Sequence, residues 1–127
     1  MKVALFDRHS LPENDGAICT GFDFESFSAV KSPLWDTCID YLTEFENNYD
    51  HREVEVIVTG LTPALTQFLA ELTQKFMEKT YEGVWLAGYS RKLKLLHFNA
   101  VTSQYVTQEF FLGGYMNWGR NPALAGQ

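Results

Sequence analysis

The chain is short of the residues that would make it basic, cross-linked or membrane-borne. Ten lysines and arginines stand against sixteen aspartates and glutamates, a formal net charge of −6 over 127 residues. Affinity for long DNA or RNA comes largely from neutralised phosphates, so this balance argues against a protein that tracks a long nucleic acid. A small anion in a pocket stays compatible with it, because salt screens a distant negative surface beyond about 10 Å. Only two cysteines occur, Cys19 and Cys38, with neither metal-ligand spacing nor a disulfide framework. Reduced thiols and a cytoplasmic location are therefore expected. Three scattered histidines, His9, His51 and His97, offer no metal-binding pattern, so neither a metal nor a cofactor is expected. No run approaches the roughly 18 apolar residues of a membrane helix. The four apolar residues 3–6 turn to charge at Asp7, too soon for the core of a secretory signal.

What is present reads as one α/β domain over 1–127, without repeats or linkers. Residues 3–6 form a short apolar run that suits a buried strand. A long stretch, 11–31, then reads as loop, with Phe22, Phe24 and Phe27 spaced to anchor it or to pack a short strand. Ser32-Pro33 opens a helix, since serine caps free amides and proline suits the first helical position. Leu34, Trp35, Cys38, Ile39, Leu42 and Phe45 recur at helical spacing, with Asp36, Asp40 and Glu44 on a solvated face. Residues 47–50 break that helix. Val54, Val56, Ile57 and Val58 make the strongest strand. Thr62 and Pro63 open a second helix, with Leu65, Phe68, Leu69, Leu72 and Phe76 on its apolar face.

Residues 84–87 read as a third strand. Strands alternating with helices predict parallel core strands in β-α-β-α-β order, a small Rossmann-like three-layer domain. Residues 92–98 and 104–111 read as a C-terminal β-hairpin at the edge. A Gly- and Asn-rich tail, 113–127, carries Tyr115, Met116 and Trp118, suited to docking on the domain or on a partner subunit.

In open α/β sheets ligands bind outside the carboxyl ends of the strands. Three segments are expected there: Asp7-Arg8-His9-Ser10, Thr59-Gly60-Leu61-Thr62 and Gly88-Tyr89-Ser90-Arg91. Strand, glycine and helix start together make an anion site of backbone amides at the positive end of a dipole. A tight turn capped by Thr62 explains the same residues without any ligand. Arg8 can fork onto a phosphate, His9 can move a proton near neutrality, and Ser10 can donate to a phosphate oxygen. An Asp7–Arg8 pair in a solvated loop is the alternative. Arg91, Lys92 and Lys94 form the one compact basic group, able with Arg8 to make a positive mouth. Neither a phosphate-binding Gly-x-x-x-x-Gly-Lys loop, nor Gly-x-Gly-x-x-Gly, nor a Gly-x-Ser-x-Gly elbow occurs.

The strand ending in Arg8-His9-Ser10 and Val-Thr-Gly-Leu-Thr-Pro-Ala-Leu at 58–65 resemble the small CRISPR-associated ring nucleases, and Leu-Leu-His-Phe-Asn at 95–99 resembles strands that follow nucleotide-sensing cores in related defence proteins. That resemblance implies a Rossmann-like homodimer that binds a cyclic oligoadenylate messenger of antiviral defence and linearises it without metal. It puts Arg8 and His9 near the scissile phosphate, and Thr59, Gly60 and Thr62 around the ring. Attack by a ribose 2′-hydroxyl would need little from the protein beyond in-line geometry and charge stabilisation. Two other classes fit the same residues. One is a non-catalytic module that binds a small nucleotide. The other is a mobile-element interaction or inhibitor protein that works through its acidic helix and aromatic tail.

Overall fold

Alternation along the strands decides which side chains meet the helices, and with them where the core lies. The computed structural model describes residues 1–44, 51–81 and 90–112. Its elements are β1 (Lys2–Phe6), β2 (Ala17–Asp23), β3 (Ser28–Lys31), α1 (Pro33–Thr43), β4 (His51–Ile57), α2 (Thr62–Tyr81), β5 (Ser90–Asn99) and β6 (Gln104–Phe111). The strands form one mixed sheet in the order β3-β2-β1-β4-β5-β6. β1 is parallel to both β2 and β4, and β4 is parallel to β5. β3 and β6 run antiparallel to their neighbours.

Val3 and Leu5 of β1, Val54 and Val56 of β4, and Leu93 and Leu95 of β5 face one side. Trp35, Cys38, Ile39 and Leu42 of α1 and Ala64, Phe68, Leu72 and Phe76 of α2 complete the same core. Trp35 and Phe68 meet edge to face with ring centres 5.2 Å apart. α1 starts as its sequence predicts: the Leu34 amide donates to Ser32 Oγ at 3.2 Å, and Ser32 Oγ donates to the Ala17 carbonyl at 2.6 Å. The helix start is thereby tied to the start of β2. The opposite face carries a smaller cluster of Ala4, Ile57 and Leu96, packed by Leu11 and Tyr105. Around it run Lys2–Glu55 at 3.8 Å, Lys94–Glu53 at 3.2 Å and Lys94–Glu109 at 3.6 Å.

Four expectations need correction. Among the described residues both helices lie on one face, so the structure has two layers of regular elements and not three. The chain moves in one direction from β1 to β4 to β5, and crossovers of one hand then keep their helices on one side. The β1-to-β2 connection moves the other way, and the ten residues 7–16 cross the opposite face, with Leu11 where a helix would otherwise sit. Second, 11–31 is no continuous loop, because β2 and β3 form a hairpin within it. Third, the parallel neighbour of β4 is β5, which contains the run read as the first hairpin strand; the strand expected at 84–87 lies outside the described residues. Lys92 and Lys94, expected in a positive mouth, instead pair with Glu53 and Glu109 on the flanking strands. Fourth, His51, whose place between the break at 47–50 and the acidic Glu53 and Glu55 reads as loop, begins β4, paired with Ser90. Phe45, 47–50, Gly88, Tyr89 and the aromatic tail also lie outside the described residues.

Candidate functional site

After β1 the chain turns towards β2, and after β4 it turns through α2 towards β5. Adjacent parallel strands whose connections part in this way leave a crevice at their carboxyl ends. That crevice exists here. Phe6, Arg8, Gly21, Phe22, Phe24, Gly60 and Leu61 line a hollow of about 330 Å³, within the range of small-ligand pockets. Its walls are aromatic and its cation is Arg8, an exposed side chain that Asp7 alone separates from the end of β1.

Thr59 holds the two strand ends together. The Phe6 amide donates to Thr59 Oγ1 at 3.0 Å, and Thr59 Oγ1 donates to the Phe6 carbonyl at 2.7 Å. A buried hydroxyl engaged in both directions continues the β1–β4 pairing one step past the strands, and its proton is already committed. Gly60 follows with φ at 80°. A Cβ there would overlap the Phe6 ring, so glycine is required by the protein's own packing. Both residues shape the crevice from beneath.

The aromatic wall comes from the β2–β3 turn. Asp23 Oδ1 accepts from the Glu25 amide at 2.9 Å and from the Ser26 amide at 3.4 Å, folding the chain back on itself. These bonds, with one from the Ser26 side chain, lower the Asp23 carboxyl from its ordinary value. The turn gathers Phe22, Phe24 and Phe27, with Phe22 ring centres 5.0 Å from Phe24 and 5.1 Å from Phe27. Phe24 is 65% exposed and Phe27 63%. Two phenylalanines so open to water on one turn form an exposed apolar surface beside the crevice. A second hollow of about 660 Å³ lies past them, lined by Phe27, Ser28, Thr62, Pro63, Thr66, Gln67 and Ala70.

The expected site residues therefore separate. Arg8 and Gly60 share the crevice, and Thr62 borders the neighbouring hollow. Thr62 is the first residue of α2, and Leu61 before it has no side-chain acceptor to offer as a cap. His9 and Ser10 are exposed on the loop beyond Arg8 and line neither hollow, with Ser10 at φ 63°. Ser90 and Arg91 begin β5, at the amino ends of the strands, opposite the crevice. Arg91 is fully buried and donates to the Glu44 carbonyl at 2.6 Å. The positive mouth expected from Arg8 with Arg91, Lys92 and Lys94 does not form. No group of three or more potential metal ligands occurs among the described residues. No described helix is long and apolar enough to cross a membrane. Burial pushes the Cys19 thiol up to about 11 and, opposed by the terminal ammonium and helped by Asp15, the Cys38 thiol up to about 12, so neither is a nucleophile at neutral pH.

The aromatic wall is the part that reading the sequence assigned to anchoring. Its signal was there, three phenylalanines around an Asp-x-x-Ser turn, but exposure cannot be read from spacing. Comparison of the chain with protein-family models found no match, and neither curated proteins nor solved structures gave a significant one.

Proposed function

We propose that the carboxyl-end crevice binds a small nucleotide, its base against Phe22 and Phe24 and its phosphate at Arg8. The observation that carries this reading is one hollow combining half-buried Phe6 and Phe22, the exposed Phe24 ring, a lone guanidinium and a glycine-backed floor. Aromatic faces accept any base, and a guanidinium is the side chain best suited to a phosphate fork. The net charge of −6 fits a single phosphate site better than a long track.

Metal-independent cleavage of a cyclic oligoadenylate by a homodimer, with His9 protonating the leaving oxygen, is the narrower form of this proposal. It rests on the resemblance and on the succession Arg8-His9, which Asp7 alone separates from the end of β1. A non-catalytic sensor is the reading favoured by His9 lying outside both hollows and by Thr59 being spent on the strand ends.

Calorimetric titration with AMP in chelator tests the common claim. Saturable binding is expected, weakened about 10- to 100-fold by R8A, the range of a lost charge-assisted hydrogen bond of about 1.5–3 kcal/mol. No heat from AMP or from cyclic oligoadenylates would end the nucleotide reading. Mass spectrometry of cyclic tetra-adenylate incubated in chelator separates its two forms. Linear product lost in H9A supports cleavage; bound but intact ring supports the sensor.

A further inference from the structure

The aromatic turn has two sides, and the crevice uses only one. Phe22 and Phe24 face the crevice, whereas Phe27 opens on the neighbouring hollow with Thr62, Pro63 and Ala70. Leu61 lines the crevice and the next residue, Thr62, lines the neighbouring hollow, and the Phe24 and Phe27 rings stand 6.5 Å apart. Phe27 is also held at φ 51°, a left-handed conformation that a bulky side chain rarely adopts. Strain of this kind persists where the surrounding structure enforces it, and it concentrates at ligand clamps. Here it holds a ring that packs edge to face on Phe22 and still leaves most of its surface open to water.

We infer that Phe27 and the hollow beside it form a second base subsite, so that the ligand spans two nucleosides joined by a phosphodiester. This rests on the nucleotide reading of the crevice and on nothing about cleavage. One base stacks at Phe22 and Phe24, the second lies on Phe27 against Pro63, and the linking phosphate crosses the start of α2, where the helix dipole favours an anion. Carboxylates at Asp23 and Glu25 on the same turn limit the charge the site accepts. A short phosphodiester-linked oligonucleotide suits it, and a nucleoside triphosphate does not.

Titration of the full chain with AMP, with the linear dinucleotide pApA and with ATP tests this. pApA should bind at least about 10-fold more tightly than AMP, as one further stacked base allows. F27A should bring pApA and AMP to equal affinity, while F27Y, which keeps the ring, should retain the advantage of pApA. Circular dichroism of F27A establishes that the variant is folded. Equal affinity for AMP and pApA, an advantage that survives F27A, or ATP binding more tightly than pApA would overturn the second subsite while leaving the first. Failure of all three ligands to bind would remove both.

Discussion

At the scale of single residues, the carboxyl end is built by side chains whose duties are structural. Thr59 gives and takes one hydrogen bond with the Phe6 backbone, in a buried position where water cannot substitute. T59V keeps the shape and leaves both Phe6 groups without that partner, so a loss of about 1–3 kcal/mol is expected in urea unfolding. Gly60 combines a positive φ with ring contact, and G60A should cost at least as much as a strained backbone position, about 1–3 kcal/mol. Stability unchanged in either variant would mean that the strand ends are held some other way. The cysteines make a simpler prediction. With both thiols buried and pushed up to about 11 and about 12, neither should react with a thiol reagent at pH 7.5 until denaturant is added, when both should.

At the scale of elements, the β2–β3 hairpin is an insertion between β1 and α1, and α2 pins it. Gln67 Oε1 accepts from the Ala29 amide at 2.7 Å, and Glu71 accepts from Lys31 Nζ at 2.8 Å and from Trp35 Nε1 at 3.3 Å. Burial works against the Glu71 charge, but the hydrogen bonds of Lys31, Gln67 and Trp35, with the charge of Lys31, outweigh it and hold the carboxyl below its ordinary value. A folded pKa below the unfolded one contributes stability above the ordinary value of 4.5 that is lost as pH falls through the folded pKa. E71Q should therefore be less stable by about 0.5–1 kcal/mol at pH 7, a modest figure because the pair is partly solvated. The difference should shrink towards zero in acid, as measured by thermal unfolding from pH 7 to pH 3. A difference constant across that range would assign the effect to packing.

This hairpin was the element least legible in the sequence. β3 has four residues, and β2 shifts register between Cys19 and Gly21, so neither shows a clean alternation. α1 and α2 were legible because Ser32-Pro33 and the spacing from Phe68 to Phe76 report local geometry that the chain sets by itself. The place of β5 beside β4 was not legible, because the ion pairs of Lys92 and Lys94 with Glu53 and Glu109 form only in the assembled sheet.

At the scale of the whole molecule, strand order decides where a ligand can sit. β1 and β4 send their connections in opposite directions, and the crevice opens between them. The sequence allowed Arg8 and Gly60 to be placed there, since each stands two residues past the end of an apolar run. It gave no means of excluding Ser90 and Arg91, because their end of the sheet depends on which run becomes β5. The aromatic wall arrives from β2, a strand whose place beside β1 depends on the return path of 7–16. A titration of the 15N-labelled protein with AMP, followed by amide chemical shifts, reads this arrangement residue by residue. The largest shifts should gather at Phe6, Arg8, Gly21, Phe22, Gly60 and Leu61, leaving Arg91 and the start of β5 unmoved. Shifts centred on any other surface, or none at saturating nucleotide, would contradict a ligand site at the carboxyl ends of β1 and β4.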